Sequence, residues 1–444
     1  MGVERRFLLA ATALARSRRL WLAGKPGPWF SRAAASAPGP ADAREHGAAA
    51  TAVSALTRSA GAIDEGLAAL SRTRVERPRE GPCSLRGAFG RLATLDDRDD
   101  REALAAALVR ALAEPVWIAA SAFAQAADVA AEMRLPEVAP EAEVAAAERL
   151  LRATGDAAGD VLAWASGRLG RPRHARLAWP DAAVVLRAPD LDGRFSPAGD
   201  PWPPILTWRE DWGLTAGAVF ETASGWLGAW ALRRGGEIHV GTSGPPGALR
   251  RRFAMQAAGR LDVLAEAGEE ALVPADATAA DLLGALYPLL LSDRRFLART
   301  MGVSPEVDDP RRLALVELLL ARLSAAATLV QKTFAETRAL DTVRDAAADA
   351  FRRALFAPLP PEVGLLFCRP FAPPLASPRA IEAALALAGR LTEDFDEDWW
   401  RNPRAAPEVR RLAARAAQEP LDALAPTGDS PDILSRWATR ALGS

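Results

Sequence analysis

The chain has 444 residues, half of them apolar and a quarter charged, and is long enough to bury the cores of two or three domains. Its formal net charge of −1 gives no electrostatic footprint for nucleic acid or an anionic membrane surface, so we expect no nucleic-acid partner. No uninterrupted apolar run reaches the roughly 18–20 residues that cross a bilayer, and we expect no membrane span.

Residues 1–47 are predicted to be a flexible N-terminal segment that ends in a linker. Arg5 and Arg6 precede an apolar stretch at residues 7–15, which has the outline of a secretory signal. Further arginines follow at once between residues 16 and 19, which favours an amphipathic first helix or a misassigned start codon over a signal. Residues 24–47 are rich in Pro, Gly, Ala and Ser and have no period, as linkers do.

Residues 48–170 are predicted to form an N-terminal helical lobe, because apolar residues return there at helical spacing. The predicted helices lie at residues 48–72, 99–113, 118–133 and 141–168, with a Pro-, Arg- and Gly-rich break at residues 76–90. Cys83 and Cys368 are the only cysteines and lie in unlike contexts. Two reduced thiols in a cytoplasmic protein are favoured over a disulfide, which stays open.

The texture of the sequence changes after residue 171, where Pro, Gly and Trp concentrate. Runs typical of strands occur at residues 182–186, 217–221, 226–233 and 237–242, and Arg234 with two following glycines favours a hairpin turn. We therefore expect a small inserted β-sheet at about residues 182–242. Helical patterns follow at residues 248–267, 279–301, 308–355, 381–392, 407–418 and 431–442. The fold class is mainly α.

The order of elements around the last predicted strand is informative. The strand at residues 237–242 leads through a Gly- and Pro-rich turn into the helix at 248–267, and Thr278 opens the next apolar helix. This order resembles the catalytic segment of the oligoendopeptidase and thimet-oligopeptidase family of zinc peptidases, the gluzincins. In that family the first helix carries His-Glu-Ala-Gly-His, and the next helix supplies a glutamate as third zinc ligand.

Residues 256–260, Gln-Ala-Ala-Gly-Arg, stand where the resemblance places the zinc motif, and Asp281 falls at or next to the third-ligand position. An Asp-Trp-Trp-x-Asn-Pro stretch at residues 398–403 and the segment 186–195 extend the likeness over about residues 140–420. The resemblance implies two helical lobes that flank a channel, with residues 171–444 forming a degenerate peptidase-like lobe.

The residues at the motif positions predict that the zinc site is lost and that no catalytic residue remains. Gln256 offers a neutral amide where imidazole is needed, and Ala257 removes the general base. Arg260 places a fixed positive charge where the cation would lie. Gln256 and Arg260 share a helical face, and the resemblance implies that the next helix brings Asp281 toward that face, so we expect Arg260 to form an ion pair with Asp281. The family's tyrosine and histidine groups after the third ligand are also missing, since Tyr287 is the only tyrosine.

Other chemistry-bearing residues have ordinary structural explanations. His239 alternates with apolar residues and is predicted to be a sheet residue, and Cys368 a buried small hydrophobe. Ser243 follows a strand without the Gly-x-Ser-x-Gly spacing of a nucleophile elbow. Arg250 and Arg251, at the start of the helix after the glycine-rich turn, are candidate contacts for a peptide or another anion.

Three functions remain open. The first is a pseudopeptidase, a non-catalytic homologue of a zinc oligopeptidase that binds peptides or regulates an active paralogue. The second is a hydrolase of that family with a divergent site. The third is a helical scaffold or interaction protein without a peptide site.

Overall fold

The computed structural model describes residues 60–443, apart from 78–79, 133–140, 169–177, 196–199, 215–216, 224–227, 235–236, 245, 268–276, 338, 369–374 and 425–430. The signal-like segment and linker predicted for residues 1–47 lie outside the described residues.

The N-terminal part consists of helices around a two-stranded antiparallel sheet. Its elements are Ala60–Arg72 (α1), Arg74–Arg77 (β1), Gly81–Ser84 (β2), Leu85–Leu92 (α2), Arg98–Leu112 (α3) and Pro115–Glu132 (α4). Side chains cap two of these helices: Ser84 accepts from the Gly87 amide at 3.1 Å, and Asp97 accepts from the Asp100 amide at 2.8 Å. The break predicted at residues 76–90 overlaps the hairpin and most of α2.

The middle of the chain is helical up to the second sheet. Its elements are Glu141–Ala153 (α5), Gly155–Arg168 (α6), Trp179–Arg187 (α7), Asp192–Phe195 (α8) and Trp202–Asp211 (α9). The strand predicted at residues 182–186 is wrong, because these residues belong to α7. Pro180 in the first turn of α7 presets helical backbone, and Asp181 is held by the Arg101 guanidinium at 3.1 Å. A five-residue apolar run carries no period that would separate helix from strand.

The second sheet has three strands, Ala218–Ala223 (β3), Gly228–Arg234 (β4) and Glu237–Ser243 (β5), in the order β3-β5-β4. The inserted sheet thus begins at residue 218 and not at about 182. β3 runs parallel to β5, and β4 pairs antiparallel to it with Arg234 opposite Glu237, as the predicted hairpin requires. His239 is a sheet residue, as predicted, and is 8% exposed.

Helices fill the rest of the chain. They are Ala248–Glu266 (α10), Ala277–Leu289 (α11), Arg294–Arg299 (α12), Asp309–Thr337 (α13), Leu340–Leu355 (α14), Pro361–Gly364 (α15), Pro378–Phe395 (α16), Ala405–Gln418 (α17), Leu421–Leu424 (α18) and Pro431–Gly443 (α19). The helix predicted at 279–301 is divided, because Pro288 lies in the last turn of α11 and Asp293 caps α12.

Helix α10 lies at the centre of the core. It packs against α11, against β4 and β5, and against α17, and nearly every one of its residues is buried. One apolar cluster extends from Ile63 to Ala438, and α5 packs against both α13 and α16. The mainly helical fold class is confirmed, whereas a lobe boundary near residue 170 stays a prediction.

Helix α13 is the longest described helix and the one that is long and apolar enough to cross a membrane by length and composition. A second candidate arises only if the bent pair α3 and α4 is counted as one span. Of the apolar window in α13, 89% is buried inside the protein, as in the core helix of a globular fold. Glu317 and Arg322 interrupt its apolar run, which is why run length alone did not reveal it.

Candidate functional site

The start of α10 is fixed by a glycine and a carboxylate. Gly247, with φ of +117°, precedes the helix, and a Cβ added there would overlap the carboxylate of Asp192. Arg187 pairs with Asp192 and donates to the Pro246 carbonyl at 3.0 Å. Only glycine fits at position 247, and the Asp192 carboxylate lies at the positive end of the α10 dipole.

A second glycine brings α10 and α11 into backbone contact. A Cβ added to Gly259 would overlap the Leu283 carbonyl, and one added to Gly284 would lie 3.2 Å from Cγ of Arg260. Only glycine permits this close approach. The crossing places the side chain of Arg260 directly against the first turns of α11, where Asp281 lies.

The ion pair predicted between Arg260 and Asp281 is present. Nε and a terminal nitrogen of Arg260 lie 2.7 and 2.6 Å from Oδ1 of Asp281. The two side chains are 11% and 7% exposed, so water screens the pair little. The carboxylate of Asp281 on the next helix therefore neutralises the positive charge of Arg260.

A second ion pair lies two turns earlier on the same face of α10. Nε and a terminal nitrogen of Arg252 each lie 2.6 Å from a Glu317 oxygen on α13, and the third guanidinium nitrogen donates to Oε1 of Gln256. Gln256 is fully buried. Arg252, Gln256 and Arg260, spaced four residues apart, thus form a buried polar stripe. Arg252 and Glu317 were not predicted as site residues. For Arg252, the signal in the sequence was its four-residue spacing from Gln256 on a buried helix.

The residues at the motif positions do not fit a zinc ion. The amide oxygen of Gln256 accepts from Arg252, Ala257 has no donor, and a guanidinium lies against Asp281. Within the described ranges, no group of three or more His, Cys, Asp and Glu side chains is arranged to hold a metal ion.

The remaining chemistry-bearing residues are built into the core or the sheet. Tyr287 donates to Oδ2 of Asp262 at 2.7 Å, and burial together with that carboxylate raises the pKa of Tyr287 well above its ordinary value. Burial also raises the pKa of Asp262, against the opposing effect of Arg209. Both cysteines are free thiols, and burial raises the pKa of Cys368 to about 12. Nδ1 of His239 lies 3.2 Å from Glu221.

The two arginines predicted as anion contacts point inward. Arg250 donates from Nε to the Gly244 carbonyl at 3.0 Å, and burial lowers its pKa. Arg251 is 4% exposed, a terminal nitrogen lies 3.6 Å from Sδ of Met301, and burial lowers its pKa to about 10. Neither guanidinium is displayed on the surface, and an anion contact by either residue stays a prediction.

The chain is similar in fold to solved carboxypeptidases over its whole length. BsuCP matches with a TM-score of 0.56 at 10% identity, over 99% of this chain and 97% of that chain. The Pyrococcus furiosus carboxypeptidase in its Apo-Mg form matches at 0.51 and 10%, over 100% and 99%. The M32 carboxypeptidase from Deinococcus radiodurans matches at 0.50 and 13%, over 100% and 99%. No protein-family model and no curated protein matches the chain.

These identities establish the fold and nothing finer. The chain has a mainly helical, metallopeptidase-like fold, as the resemblance in its sequence implied. Two of these three structures are named as carboxypeptidases, and the narrower likeness to oligopeptidases stays a prediction.

Proposed function

We propose that the chain is a pseudopeptidase, a non-catalytic relative of zinc peptidases in which ion pairs replace the metal. The observation that carries the proposal is the Arg260–Asp281 pair, buried where the sequence resemblance places the metal. The solved structures of similar fold are carboxypeptidases, which agrees with descent from a peptidase.

The electrostatics of the stripe explain why such a protein would hydrolyse no peptide bond. A gluzincin needs neutral imidazoles around a divalent cation and a carboxylate that takes a proton from bound water. Here the side chain at position 257 has no basic atom, and the guanidinium at position 260 neither deprotonates nor binds a cation. A cation entering beside Asp281 would be repelled by Arg260 and would have to break its ion pair.

In this proposal the protein is a cytoplasmic binding protein that acts through peptides or through an active peptidase paralogue. Its helical surfaces keep the framework of a peptidase fold, while the polar groups of the stripe are satisfied by one another. A hydrolase with a divergent site would need a nucleophile, a general base or a set of metal ligands, and Gln256, Ala257 and Arg260 supply none of these.

Zinc content and peptide cleavage test the proposal together. The purified protein, incubated with micromolar zinc and then desalted, is expected to retain far less than one zinc ion per chain. We also expect no cleavage of a mixed peptide library, as measured by mass spectrometry. We expect no shift in Tm with zinc, whereas a ligand that binds only the folded state would raise the free energy of unfolding by about 2.7 kcal/mol at a hundred times its Kd.

The Asp281→Ala variant is the matched control for this experiment. Stoichiometric zinc together with peptide cleavage, both lost in Asp281→Ala, would establish a working hydrolase and overturn the proposal. Cleavage that needs neither zinc nor Asp281 would place the chemistry elsewhere and would overturn it equally.

A further inference from the structure

Arg251, in the first turn of α10, has a different kind of partner from the other buried arginines. One terminal nitrogen donates to the sulfur of Met301, and the buried Nε has no hydrogen-bond partner among the described residues. Asp200 attracts the Arg251 charge, but it is exposed and the two side chains form no ion pair. The other buried arginines of the described ranges each donate to a carboxylate or carbonyl oxygen: Arg101, Arg187, Arg209, Arg250, Arg252 and Arg322. The Arg251 guanidinium therefore lacks the oxygen acceptor that a buried charge needs.

The sulfur of Met301 is a weak acceptor that lies where a strong one would satisfy Arg251. Met301 follows α12 and is 5% exposed, and its Sδ lies 3.6 Å from the terminal nitrogen of Arg251. A thioether sulfur accepts hydrogen bonds only weakly. At this separation, an oxygen bonded to Sδ on the Arg251 side would lie within the roughly 2.7–3.2 Å of an N–H···O hydrogen bond. One added oxygen atom would thus supply the acceptor that the guanidinium lacks.

The segment that carries Met301 lies at the surface of the protein. Gly302 and Ser304, which follow it, are exposed, and Val307 is 78% exposed. This segment connects α12 to α13 without regular structure, and such connections open locally at a lower free energy than core helices do. A small oxidant can therefore reach the Met301 sulfur, whereas Met255 lies fully buried within α10.

We propose that Met301 is an oxidation site at which the Arg251 guanidinium holds the methionine sulfoxide. The sulfur lone pair takes one oxygen atom from hydrogen peroxide, the O–O bond breaks and water leaves, so the sulfur is oxidised and the peroxide is reduced. The sulfoxide oxygen then accepts a charge-assisted hydrogen bond from Arg251. Oxidation of a packed methionine ordinarily disrupts a core, whereas here it satisfies a buried donor and joins the connection between α12 and α13 to the first turn of α10.

Peroxide treatment of the native full chain locates the modification. Trypsin releases Met301 and Met255 on separate peptides, residues 300–311 and 253–260, each of which contains a single methionine. After brief treatment with hydrogen peroxide, quenching and digestion, mass spectrometry should find Met301 oxidised at least about fivefold more than Met255. Oxidation of Met301 equal to or below that of Met255 would overturn the proposal.

Thermal melting tests whether Arg251 holds the sulfoxide. Met301→Leu, treated in the same way, reports oxidation elsewhere in the chain and is the matched control. Peroxide should lower the Tm of the wild type no more than that of Met301→Leu. In Arg251→Leu, peroxide should lower the Tm by at least about 2 °C more than in Arg251→Leu/Met301→Leu, because the sulfoxide then lacks its donor. A loss of Tm from Met301 oxidation that is equal with and without Arg251 would overturn the proposal.

Met301→Gln tests the same contact without peroxide and without a change at Arg251. The glutamine amide places an oxygen near the position of the sulfoxide oxygen, so Met301→Gln should melt at least as high as Met301→Leu. When both are combined with Arg251→Leu, the amide oxygen loses its donor, and the Gln variant should melt at least about 2 °C below the Leu variant. Met301→Gln that melts below Met301→Leu in the presence of Arg251 would contradict the proposed hydrogen bond.

Discussion

Two arginines of α10 and one of α13 are neutralised inside the protein in different ways. In α10, Arg252 and Arg260 each pair with a carboxylate from a neighbouring helix. In α13, Arg322 is 1% exposed and donates to the carbonyls of Leu151, Ala354 and Arg353 and to the Thr154 hydroxyl, at 2.6–2.9 Å.

The carbonyls that hold Arg322 belong to the last turns of α5 and α14. Each helix carries about half a negative charge at its C-terminus, so two helix ends together replace a carboxylate. Phe356, in the left-handed conformation after α14, covers the guanidinium with its ring 4.9 Å away. Substitution can therefore remove both side chains of an ion pair, whereas it cannot remove the backbone carbonyls that hold Arg322.

The largest effect is therefore expected for Arg322→Ala. The change strands buried carbonyls at two helix ends, which no second substitution can remove, and we expect a loss of about 4–5 kcal/mol of unfolding free energy, measured by urea denaturation. Arg322→Lys keeps the charge with fewer donors and should lose less.

Arg352→Ala serves as the control for the change at position 322. Its side chain is 62% exposed and pairs with Asp349 at the surface, so we expect a change within about 0.5 kcal/mol. Arg322→Ala as stable as this control would mean that the helix ends do not need the guanidinium.

A smaller loss of unfolding free energy is expected for Arg260→Ala than for Arg322→Ala, because the Arg260–Asp281 pair is slightly more exposed than Arg322. Removing one partner leaves the carboxylate buried and unpaired, which costs about 3 kcal/mol by urea denaturation. The double variant Arg260→Ala/Asp281→Ala should recover much of that loss. Additive effects of the two single changes would show that the side chains do not interact.

Introducing the zinc-peptidase motif should not confer peptidase activity. Gln256→His/Ala257→Glu/Arg260→His returns the two imidazoles and the base, but the tyrosine and histidine groups expected to stabilise the tetrahedral intermediate stay absent. We expect no cleavage by mass spectrometry in the presence of zinc. Zinc-dependent cleavage by this triple variant would show that the motif residues alone suffice for activity.

Sequence patterns predicted most helices and all three strands of the second sheet, and wrongly added a strand at residues 182–186. The Arg260–Asp281 pair was predictable because four-residue spacing and a known order of elements placed both residues. The Arg252–Glu317 pair was not, because its partners lie 65 residues apart and only helix packing joins them. Arg322 was equally hidden, since its partners are backbone groups that no residue type identifies. The run at residues 182–186 was wrongly predicted to be a strand, because five apolar residues show no period that separates a strand from a helix.

The smallest effect is expected from a surface pair beside Arg322. Glu148 on α5 accepts two hydrogen bonds from Arg353 on α14, at 3.1 and 2.6 Å, so this pair joins the same two helices that Arg322 joins from within. The hydrogen bonds from Arg353 lower the pKa of Glu148 below its ordinary value of 4.5. A lowered pKa in the folded state stabilises the protein above pH 4.5, and that contribution is lost as the pH falls through the folded-state pKa.

Glu148→Gln should therefore flatten the dependence of unfolding free energy on pH below about 4.5 and change little at pH 7. Both side chains are more than a third exposed, so solvent screening limits the pair to about 0–1 kcal/mol. Glu65→Gln, an exposed change on α1, is the control and should leave the pH profile as in the wild type. If Glu148→Gln matched Arg322→Ala in its cost at pH 7, the junction of α5 and α14 would depend on its surface pair, and the contrast between carboxylate-paired and carbonyl-held arginines would fail at this junction.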